Sequence, residues 1–343
     1  MSICIRRCAS PEGDPPDASR RADRIIQGQC ILIPHDTSFF STAAATHPGN
    51  RRPNNEDRFH VGTYQLERDQ TIVTLAIVAD GIGGHQAGEV AAQLTIDTII
   101  HQLLSYRGGD PLPELQSAII EAGRVVSAAA HAQEERAGMG STVALAMVIG
   151  SRLYTAHVGD SRIYLLRGGR LQQISTDHTW VQEAVEYDII APDEVRGHPH
   201  AHILRRHIGG DQLPEPDTRM RLKDGESDRQ SLAHQGTALR KNDRILLCSD
   251  GLTDMVEDME IYQGLSGYEP QQGVEFLTQQ ALERGGDDNI TILILAAPHS
   301  RPTGARTRRQ RRLMNTMVAI FVLLALITIG VFAAMWFGWW PWL

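Results

Sequence analysis

Residues 78–89 read VADGIGGHQAGE, an apolar run that stops at Asp80 and is followed by four glycines within eight residues. The preceding residues 71–79, TIVTLAIVA, are β-branched and apolar, which is typical of a buried strand. The glycines suit either a loop that binds phosphate through backbone amides or a strand end that presents Asp80. Gln86 stands where the dinucleotide fingerprint needs its third glycine, and the chain contains no GxxxxGKS or GxxxxGKT motif. The stretch therefore favours the presentation of Asp80.

Other acidic residues take similar positions at the ends of predicted strands. Asp250 follows the strand-like run 244–248, and Asp288 comes just before the run 290–296. Asp160 lies between two further strand-like runs. If these strands share one sheet, their carboxylates converge at one edge, where clustered negative charges are costly without cations. Oxygen ligands of this kind favour Mg²⁺ or Mn²⁺ over zinc.

Between residues 36 and 298 the chain alternates strand-like and helix-like segments. Strands are predicted at residues 71–79, 141–149, 152–157, 162–166, 244–248 and 290–296. Helices are predicted at residues 88–104 and 112–135, with shorter ones near 179–189 and 271–283. Only short pieces can be placed in residues 190–242. Hairpin-like strand runs mixed with long helices indicate an α+β layered domain rather than a regular βαβ winding.

The composition restricts the class of protein. With 343 residues, of which 42% are hydrophobic, the chain is long enough for a globular domain and additional segments. The formal net charge is −8, although residues 301–312 hold six arginines and no acid, so the rest of the chain is strongly acidic. An acidic body argues against nucleic acid as a partner. The four cysteines lack zinc-site spacing, which favours a reducing, intracellular compartment.

The last part of the sequence predicts a membrane anchor. Residues 317–337, MVAIFVLLALITIGVFAAMWF, are long enough to cross a bilayer, which needs about 20 apolar residues. No charged residue follows Arg312, and four tryptophans gather at the far end, as at a membrane interface. The arginines before the span place the preceding domain on the cytoplasmic side of the inner membrane, in a single-pass protein. The expected segments are a flexible tail at 1–35, a folded domain at 36–298, a basic linker at 299–312 and a transmembrane helix at 313–343.

Eight motifs follow one another along the folded domain. They read RRPNNED, ADGIGGHQAGE, GMGSTVAL, AHVGDSRIYLLR, DHTWVQEAV, HPHAHILRRHIGG, LLCSDGLTD and GGDDNIT. In this order and spacing they resemble the bacterial type 2C (PPM) metal-dependent protein phosphatases, over about residues 40–297. The resemblance implies an α+β fold of four layers, an αββα sandwich in which two antiparallel sheets are flanked by helices. It also implies a two-metal site at one end of the sandwich.

The resemblance further implies which residues hold the ions, which are expected to be Mn²⁺ or Mg²⁺. Asp80 would bridge two ions, and Glu56 with the backbone carbonyl of Gly81 would complete the first of them. Asp250 and Asp288 would hold the second ion. A third, looser ion would take the ligands Asp160, Asp250 and Asp254.

The implied reaction is the hydrolysis of phosphoserine and phosphothreonine in proteins. A water between two cations loses a proton near neutral pH and attacks phosphorus in line with the leaving oxygen. Arg52 matches the arginine that binds the substrate phosphate in the family. Asp57 and Asn289 match positions that orient the metal ligands rather than touch the metal. The expected partners are phosphorylated proteins and a bacterial Ser/Thr kinase that the phosphatase opposes.

The identity of the general acid stays open. Eukaryotic relatives place a histidine directly after the Asp-Gly pair, where this chain has Ile82, and His85 follows three residues later. His85 either protonates the leaving group or makes local hydrogen bonds in its loop while solvent supplies the proton.

Residues 179–212 resemble the flap of the same family. Four histidines, His198, His200, His202 and His207, lie within ten residues and suit either a metal site or a substrate-facing or structural role. The match to the flap pattern favours the second interpretation.

Two other functions fit the same fold. One is an inactive metal-binding scaffold, and the other is a phosphatase that acts on another phosphate ester. An inactive member is expected to lack an acid of the two-metal site, whereas all four of those acids are present. We therefore expect a metal-dependent protein-serine/threonine phosphatase.

Overall fold

The apolar run before Asp80 forms a strand in the middle of the molecule. The computed structural model describes residues 32–298 apart from residues 37 and 84–86, and within it Ile72–Ala79 is a strand of eight residues, seven of them buried. Its side chains alternate between two hydrophobic layers: Leu75 and Ile77 face one layer, and Ala76 faces the other. A strand that is buried on both faces needs a packing partner on each side.

The described residues form three antiparallel sheets. In chain order the strands are β1 Leu32–Pro34, β2 Ser41–His47, β3 Arg58–Leu66, β4 Ile72–Ala79, β5 Gly81–Ile82, β6 Gly140–Ser141, β7 Val143–Ile149, β8 Arg152–Val158, β9 Arg162–Arg167, β10 Arg170–Gln173, β11 Thr237–Ala238, β12 Arg244–Cys248 and β13 Ile290–Ala296. The first sheet has six strands in the order β1-β3-β4-β7-β8-β11, and the second has five in the order β10-β9-β12-β13-β2. Strands β5 and β6 form a separate two-stranded ribbon.

Helices follow the strands in two groups. The α-helices are α1 Ala87–Leu103, α2 Leu112–Ala132, α3 Trp180–Glu186, α4 Asp228–Leu232, α5 Asp250–Thr253, α6 Asp258–Gly267 and α7 Pro270–Glu283, and short 3-10 turns occur at Glu134–Arg136 and Pro192–Glu194. Helices α1 and α2 bury Ile99 and Ile119 against the outer face of the first sheet. Helices α5 to α7 bury Leu252, Ile261 and Leu277 against the outer face of the second.

The two larger sheets pack on each other through their inner faces. Val78 and Ala146 of the first sheet share a buried cluster with Leu247 and Leu293 of the second. With helices on both outer faces, the layers run helix, sheet, sheet, helix. The predicted four-layer αββα sandwich is confirmed for the part of the chain that is described.

The strands that carry the acidic residues do not all share one sheet, so the single-sheet arrangement considered from the sequence does not occur. Asp80 follows β4 of the first sheet, whereas Asp250 and Asp288 adjoin β12 and β13 of the second. The side chains meet nevertheless, because these strand ends lie at the same end of two stacked sheets. The site is therefore built between sheets rather than along one edge.

Several expected features lie outside the described residues. These are His85, the basic linker 299–312 and the transmembrane helix 313–343. Strand β1 pairs with β3 although it falls inside the segment 1–35 expected to be a tail, so the folded domain includes residues 32–34. Among the helices that are described, none has both the length and the apolar character needed to cross a membrane.

Candidate active site

Asp80 is held by its backbone at the point where β4 ends. Its N–H donates to Thr142 Oγ1 over 3.1 Å, and its carbonyl oxygen accepts from the Thr142 N–H over 2.8 Å. Thr142 lies between β6 and β7 and shares a 2.7 Å hydrogen bond with the hydroxyl of Ser161. These bonds fix the Asp80 backbone without using its carboxylate.

The glycines after Asp80 allow two oxygen atoms to approach each other. A Cβ on Gly88 would lie 2.5 Å from Glu56 Oε2 and 2.8 Å from the carbonyl oxygen of Gly81. A Cβ on Gly81 would lie 2.2 Å from the carbonyl oxygen of Gly88, so both positions require glycine. Burial raises the pKa of Glu56, although the charge of Arg52 opposes the shift. A carboxylate and a carbonyl oxygen thus converge here, and hard divalent cations use both as ligands.

The carboxyl groups of Asp80 and Asp250 lie close enough to share a hydrogen bond. Burial raises the pKa of Asp80 well above its usual range, and the charges of Asp57 and Asp250 raise it further. Burial also raises the pKa of Asp250, with a contribution from the charge of Asp288. Oδ1 of Asp250 is buried and has no hydrogen-bond partner among the described residues. Buried acids in contact are unfavourable unless a proton or a cation lies between them.

Asp57 is fully buried next to this pair. The Ser249 hydroxyl donates to its Oδ2 over 2.7 Å, while Oδ1 has no hydrogen-bond partner within the described part of the chain. Burial raises the pKa of Asp57 to about 7, against the effect of its hydrogen bonds and with the charge of Asp250 adding to the rise. Because Ser249 precedes Asp250, Asp57 is placed to orient that residue, the kind of role expected from the sequence.

Asn289, just before strand β13, forms hydrogen bonds with the loop that contains Glu56. Its side-chain amide donates to the carbonyl oxygens of Pro48 over 3.0 Å and Asn54 over 2.9 Å. Its Oδ1 accepts from the Glu56 N–H over 2.7 Å. All three bonds orient the loop, which is the kind of role expected for Asn289 from the sequence.

Arg52 brings positive charge to the acidic group. Its Nη2 donates to Asp288 Oδ2 over 2.7 Å, and its side chain is 56% exposed. The hydrogen bond to Asp288 and the charge of that residue raise the pKa of Arg52, and Glu56 and Asp80 add weaker attraction. A guanidinium that is permanently charged and open to solvent can bind an anionic phosphate beside the acids.

A histidine of the flap joins two of the acids. Ligand atoms of His202, Asp250 and Asp254 all lie within 4.8 Å of one another, and His202 Nδ1 is 3.5 Å from Asp254 Oδ2. Burial raises the pKa of Asp254 to about 6, and the charge of Asp250 adds to the rise. Asp160 lies nearby, since burial and then the charge of Asp250 raise its pKa well above the usual range. The sequence pointed to Asp160, Asp250 and Asp254 here, and the structure adds His202.

The other flap histidines have different surroundings. The rings of His198 and His200 pack on Trp180, with centroids 5.3 and 4.9 Å away. The ring of His207 lies against Gly140, where a Cβ would be 2.9 Å from its Cδ2. The four histidines therefore do not converge on one metal site within the described flap. Only the spatial neighbours of His202, which the sequence does not show, distinguish it from the rest.

The arrangement fits divalent cations. We call Glu56, Asp80, Asp160, Asp250, Asp254 and Asp288 the carboxylate cluster. Several of its pKa values are raised by burial and mutual repulsion, and Asp250 leaves a buried oxygen without a donor. Carboxylate oxygens with a backbone carbonyl are the donor set that Mg²⁺ and Mn²⁺ prefer. Cations at this end of the sandwich would relieve the repulsion.

Comparison with known proteins shows the family. A family model described as Protein phosphatase 2C matches residues 47–283. The chain is 36% identical over 252 residues to the serine/threonine protein phosphatase PstP of Mycobacterium tuberculosis, a match that covers 74% of this chain and 44% of PstP. It is 31% identical over 255 residues to the serine/threonine phosphatase stp of Listeria monocytogenes, covering 73% of this chain and 93% of the relative. The chain therefore belongs to the protein phosphatase 2C family, and it spans less than half the length of PstP.

Solved structures of relatives share the architecture. The crystal structure of the M. tuberculosis phosphatase PstP/Ppp matches with a TM-score of 0.65 and 36% identity, covering 76% of this chain and 99% of that one. The catalytic domain of PstP in complex with two manganese ions matches with a TM-score of 0.62 and 35% identity, covering 76% and 98%. The family resemblance drawn from eight short motifs is thus confirmed.

Proposed function

We propose that this chain hydrolyses phosphoserine and phosphothreonine in proteins and depends on Mn²⁺ or Mg²⁺. The observation that carries the proposal is the contact between the buried carboxyl groups of Asp80 and Asp250, near the exposed guanidinium of Arg52. Metal-dependent hydrolysis of a phosphate ester uses such a cation site beside a group that binds phosphate. The relatives named as serine/threonine phosphatases, and the manganese-bound catalytic domain of PstP, support it.

Five residues would hold the two core ions. Asp80 would contribute to both, Glu56 and the Gly81 carbonyl to one, and Asp250 and Asp288 to the other. Bound divalent ions lower the pKa of a coordinated water and neutralise charge on the phosphoryl group.

The remaining roles belong to side chains around the ions. Arg52 would donate two parallel hydrogen bonds to phosphate oxygens, as its planar guanidinium permits. Its bond to Asp288 holds it at the cluster before substrate arrives. Asp57 and Asn289 would keep Asp250 and Glu56 in place through the hydrogen bonds described above.

The test is the release of phosphate from matched phosphoserine, phosphothreonine and phosphotyrosine peptides by the full chain, with Mn²⁺ and with EDTA. We expect Mn²⁺-dependent release from the first two. Asp80→Asn and Asp250→Asn should each lower the rate by at least about 100-fold, because each removes a charge that acts on the ions in the transition state. Asp69→Asn, a substitution at an exposed acid outside the cluster, is the matched control and should keep the wild-type rate.

Other outcomes of the same assay favour the alternatives. Mn²⁺ binding without release from any phosphopeptide would indicate an inactive scaffold. Release from small phosphate esters alone would indicate a different substrate class.

The proposal assigns His85 the role of proton donor to the leaving oxygen. A general acid produces a falling limb in the pH–rate profile at high pH. His85→Ala should remove that limb on a phosphopeptide substrate, whereas an unchanged profile would leave protonation to solvent.

The proposal also includes attachment to the inner membrane through residues 313–343, with the phosphatase domain in the cytoplasm. The uncharged apolar run and the arginines that precede it support this orientation. Full-length protein should stay with the membrane fraction through high-salt and carbonate washes, and its release would contradict the anchor.

A bacterial Ser/Thr kinase in the same membrane is the proposed opposing partner. The autophosphorylated kinase should lose its phosphate on addition of the wild-type chain with Mn²⁺. It should keep its phosphate on addition of the Asp80→Asn chain.

A further inference from the structure

His178 lies where the flap leaves the folded core, and both of its ring nitrogens have partners. Nδ1 accepts a hydrogen bond from the Gly159 N–H over 3.1 Å, and Nε2 lies 3.3 Å from Asp217 Oδ2. Because an acceptor nitrogen carries no proton, the proton of the neutral ring is on Nε2 and is donated to Asp217. The His178 side chain is 4% exposed, so water does not compete for either bond.

Asp217 is a fixed acceptor for that proton. The guanidinium of Arg219 donates to the same oxygen, over 2.6 Å from Nη2 and 2.8 Å from Nε. Burial opposes ionisation of Asp217, but the hydrogen bonds from His178 and Arg219 prevail and hold its pKa below the usual range. The backbone of Asp217 also exchanges two hydrogen bonds with that of His157. We call His157, His178, Asp217 and Arg219 the His–Asp network.

The His–Asp network has no need of a metal ion, although ligand atoms of its two histidines and its aspartate lie within 4.8 Å of one another. His157 Nε2 lies 2.8 Å from the Thr176 carbonyl oxygen and 3.1 Å from the Thr176 nitrogen, and burial lowers the pKa of His157 to about 4. The charge of Asp217 is already balanced by Arg219. His157 Nε2, both ring nitrogens of His178 and both carboxylate oxygens of Asp217 therefore have protein partners.

On one side, His178 holds the turn that precedes Asp160. Gly159 has a φ of +101°, and a Cβ there would lie 2.6 Å from Thr142 Cγ2. The turn is thus fixed between the ring of His178 and Thr142, the residue that bonds to the backbone of Asp80. The ring of His178 is thus connected to the backbone of Asp80 through the Gly159 turn and Thr142.

On the other side, His178 holds the base of the flap. Its carbonyl oxygen accepts from the Arg205 N–H over 2.8 Å. Two residues further on, the Trp180 N–H donates to the carbonyl oxygen of Ile203, also over 2.8 Å. The outgoing and returning chains of the flap are therefore joined at His178, whose ring contacts the Asp160 turn.

We propose that His178, held in one tautomer by Asp217, is a positioning residue that fixes the Gly159–Asp160 turn relative to the base of the flap. It contacts neither substrate nor ion. Loss of the bond from Gly159 to Nδ1 leaves the turn held to His178 only through the backbone, where the His178 N–H donates to the Gly159 carbonyl oxygen over 3.0 Å. The turn is then less firmly fixed, and the ion that Asp160 helps to hold binds more weakly. The inference rests on the proposed function in that it takes the carboxylate cluster to be a metal site.

Two substitutions separate the two bonds of the ring. The side chain of His178→Asn places an acceptor near the position of Nδ1 and cannot reach Asp217. The side chain of His178→Gln reaches toward Asp217 and offers nothing at the position of Nδ1. In Mn²⁺ titrations of the full chain, followed by electron paramagnetic resonance, the Gln variant should weaken the loosest binding step by about 10-fold. The Asn variant should stay within about threefold of wild type.

The outcomes separate positioning from general structural support. Equal weakening of every binding step in both variants, or unchanged binding in a folded Gln variant, overturns the proposal. Circular dichroism melts establish that each variant is folded. If the Gln variant does not fold, the test rests on the Asn variant, whose Mn²⁺ binding must stay near that of wild type. The titrations contain no phosphopeptide. A wild-type chain that binds Mn²⁺ with the expected variant pattern but releases no phosphate contradicts the proposed function alone.

Discussion

The carboxylate cluster and the His–Asp network each contribute to a group of three ligand atoms within 4.8 Å of one another. The residues of this group are buried in the network, and half-buried or exposed at the cluster. The pKa values of their aspartates are shifted from the usual range in opposite directions. The pKa of Asp80 is raised by burial and by neighbouring acids, whereas the pKa of Asp217 is held low by hydrogen bonds from His178 and Arg219. The same residue types thus form one group in which six acids face the guanidinium of Arg52 and another in which the charge of Asp217 is balanced by Arg219.

The difference shows that spacing alone does not identify a metal site. Buried charges are tolerated when they are paired and hydrogen-bonded, and Asp217 meets both conditions. Asp250 does not meet them fully, because one of its buried oxygens has no hydrogen-bond partner among the described residues and the charge of Asp288 acts against its ionisation. Unbalanced charge together with an unpartnered oxygen is therefore a better criterion for a metal site than the spacing of ligand atoms. The two groups should respond in opposite ways when charge is removed.

The largest effect on stability is expected when the His–Asp network loses its positive charge. Arg219→Met leaves Asp217 buried without its charged partner, and such a loss costs about 3–5 kcal/mol of unfolding free energy. Chemical denaturation in EDTA at pH 7 measures it. Arg170→Met removes an arginine whose ion pair with Asp224 is exposed, with side-chain exposures of 58% and 84%. This control should lie within about 0.5 kcal/mol of wild type. Similar losses in both variants would contradict the comparison.

A smaller effect, a gain in stability, is expected when Mn²⁺ neutralises the negative charge of the carboxylate cluster. Free Mn²⁺ at about 100 times its dissociation constant should add about 2.7 kcal/mol to the unfolding free energy, because it binds the folded state preferentially. Thermal unfolding with and without Mn²⁺ measures the gain. Asp80→Asn should lose most of it, and Asp69→Asn should keep it. Equal stabilisation of the two variants would mean that the ions bind elsewhere.

The smallest effect is a pH dependence in the metal-free protein. The pKa of Asp254 is raised to about 6 in the folded state, above its value in the unfolded chain. Its protonated form therefore stabilises the fold at low pH, and this contribution is lost as the pH rises through about 6. In EDTA, Asp254→Asn should match wild type near pH 4 and exceed it near pH 7. The gain should stay below about 1 kcal/mol, because solvent screens a side chain that is 34% exposed. A gain that grows toward low pH would reverse the sign and contradict this assignment.

The sequence predicts the core strands well and the surface elements poorly. Strands β12 and β13 have the predicted bounds, because continuous apolar runs occur where a strand is buried on both faces. Strand β3, RFHVGTYQL, is not predicted, since most of its residues are only partly buried and polar. Helix α6, DMEIYQGLSG, contains two glycines and a weak apolar pattern, and only its packing on α7 and the second sheet stabilises it.

The acids of the site are also visible in the sequence, because strand ends place them together. The residues around them are less visible. His202 reaches Asp254 only through the fold of the flap, and His178 and Asp217 are separated by 39 positions, a stretch in which regular structure is limited to α3 and one 3-10 turn. No local pattern distinguishes these histidines from others nearby. Their roles depend on tertiary neighbours, which periodicity and turn signals do not encode.

The bond between Asn289 and Glu56 has a consequence for the timing of synthesis. It joins residues 233 positions apart, near the two ends of the domain. A ribosome that has not yet reached β13 carries a chain without Asp288 and Asn289, so the loop of Glu56 has no anchor and the acidic site lacks a member. The preceding strands can be translated while the site is still incomplete. The site is therefore complete only after Asp288 and Asn289 have been translated, and a chain that ends before Asp288 lacks part of it.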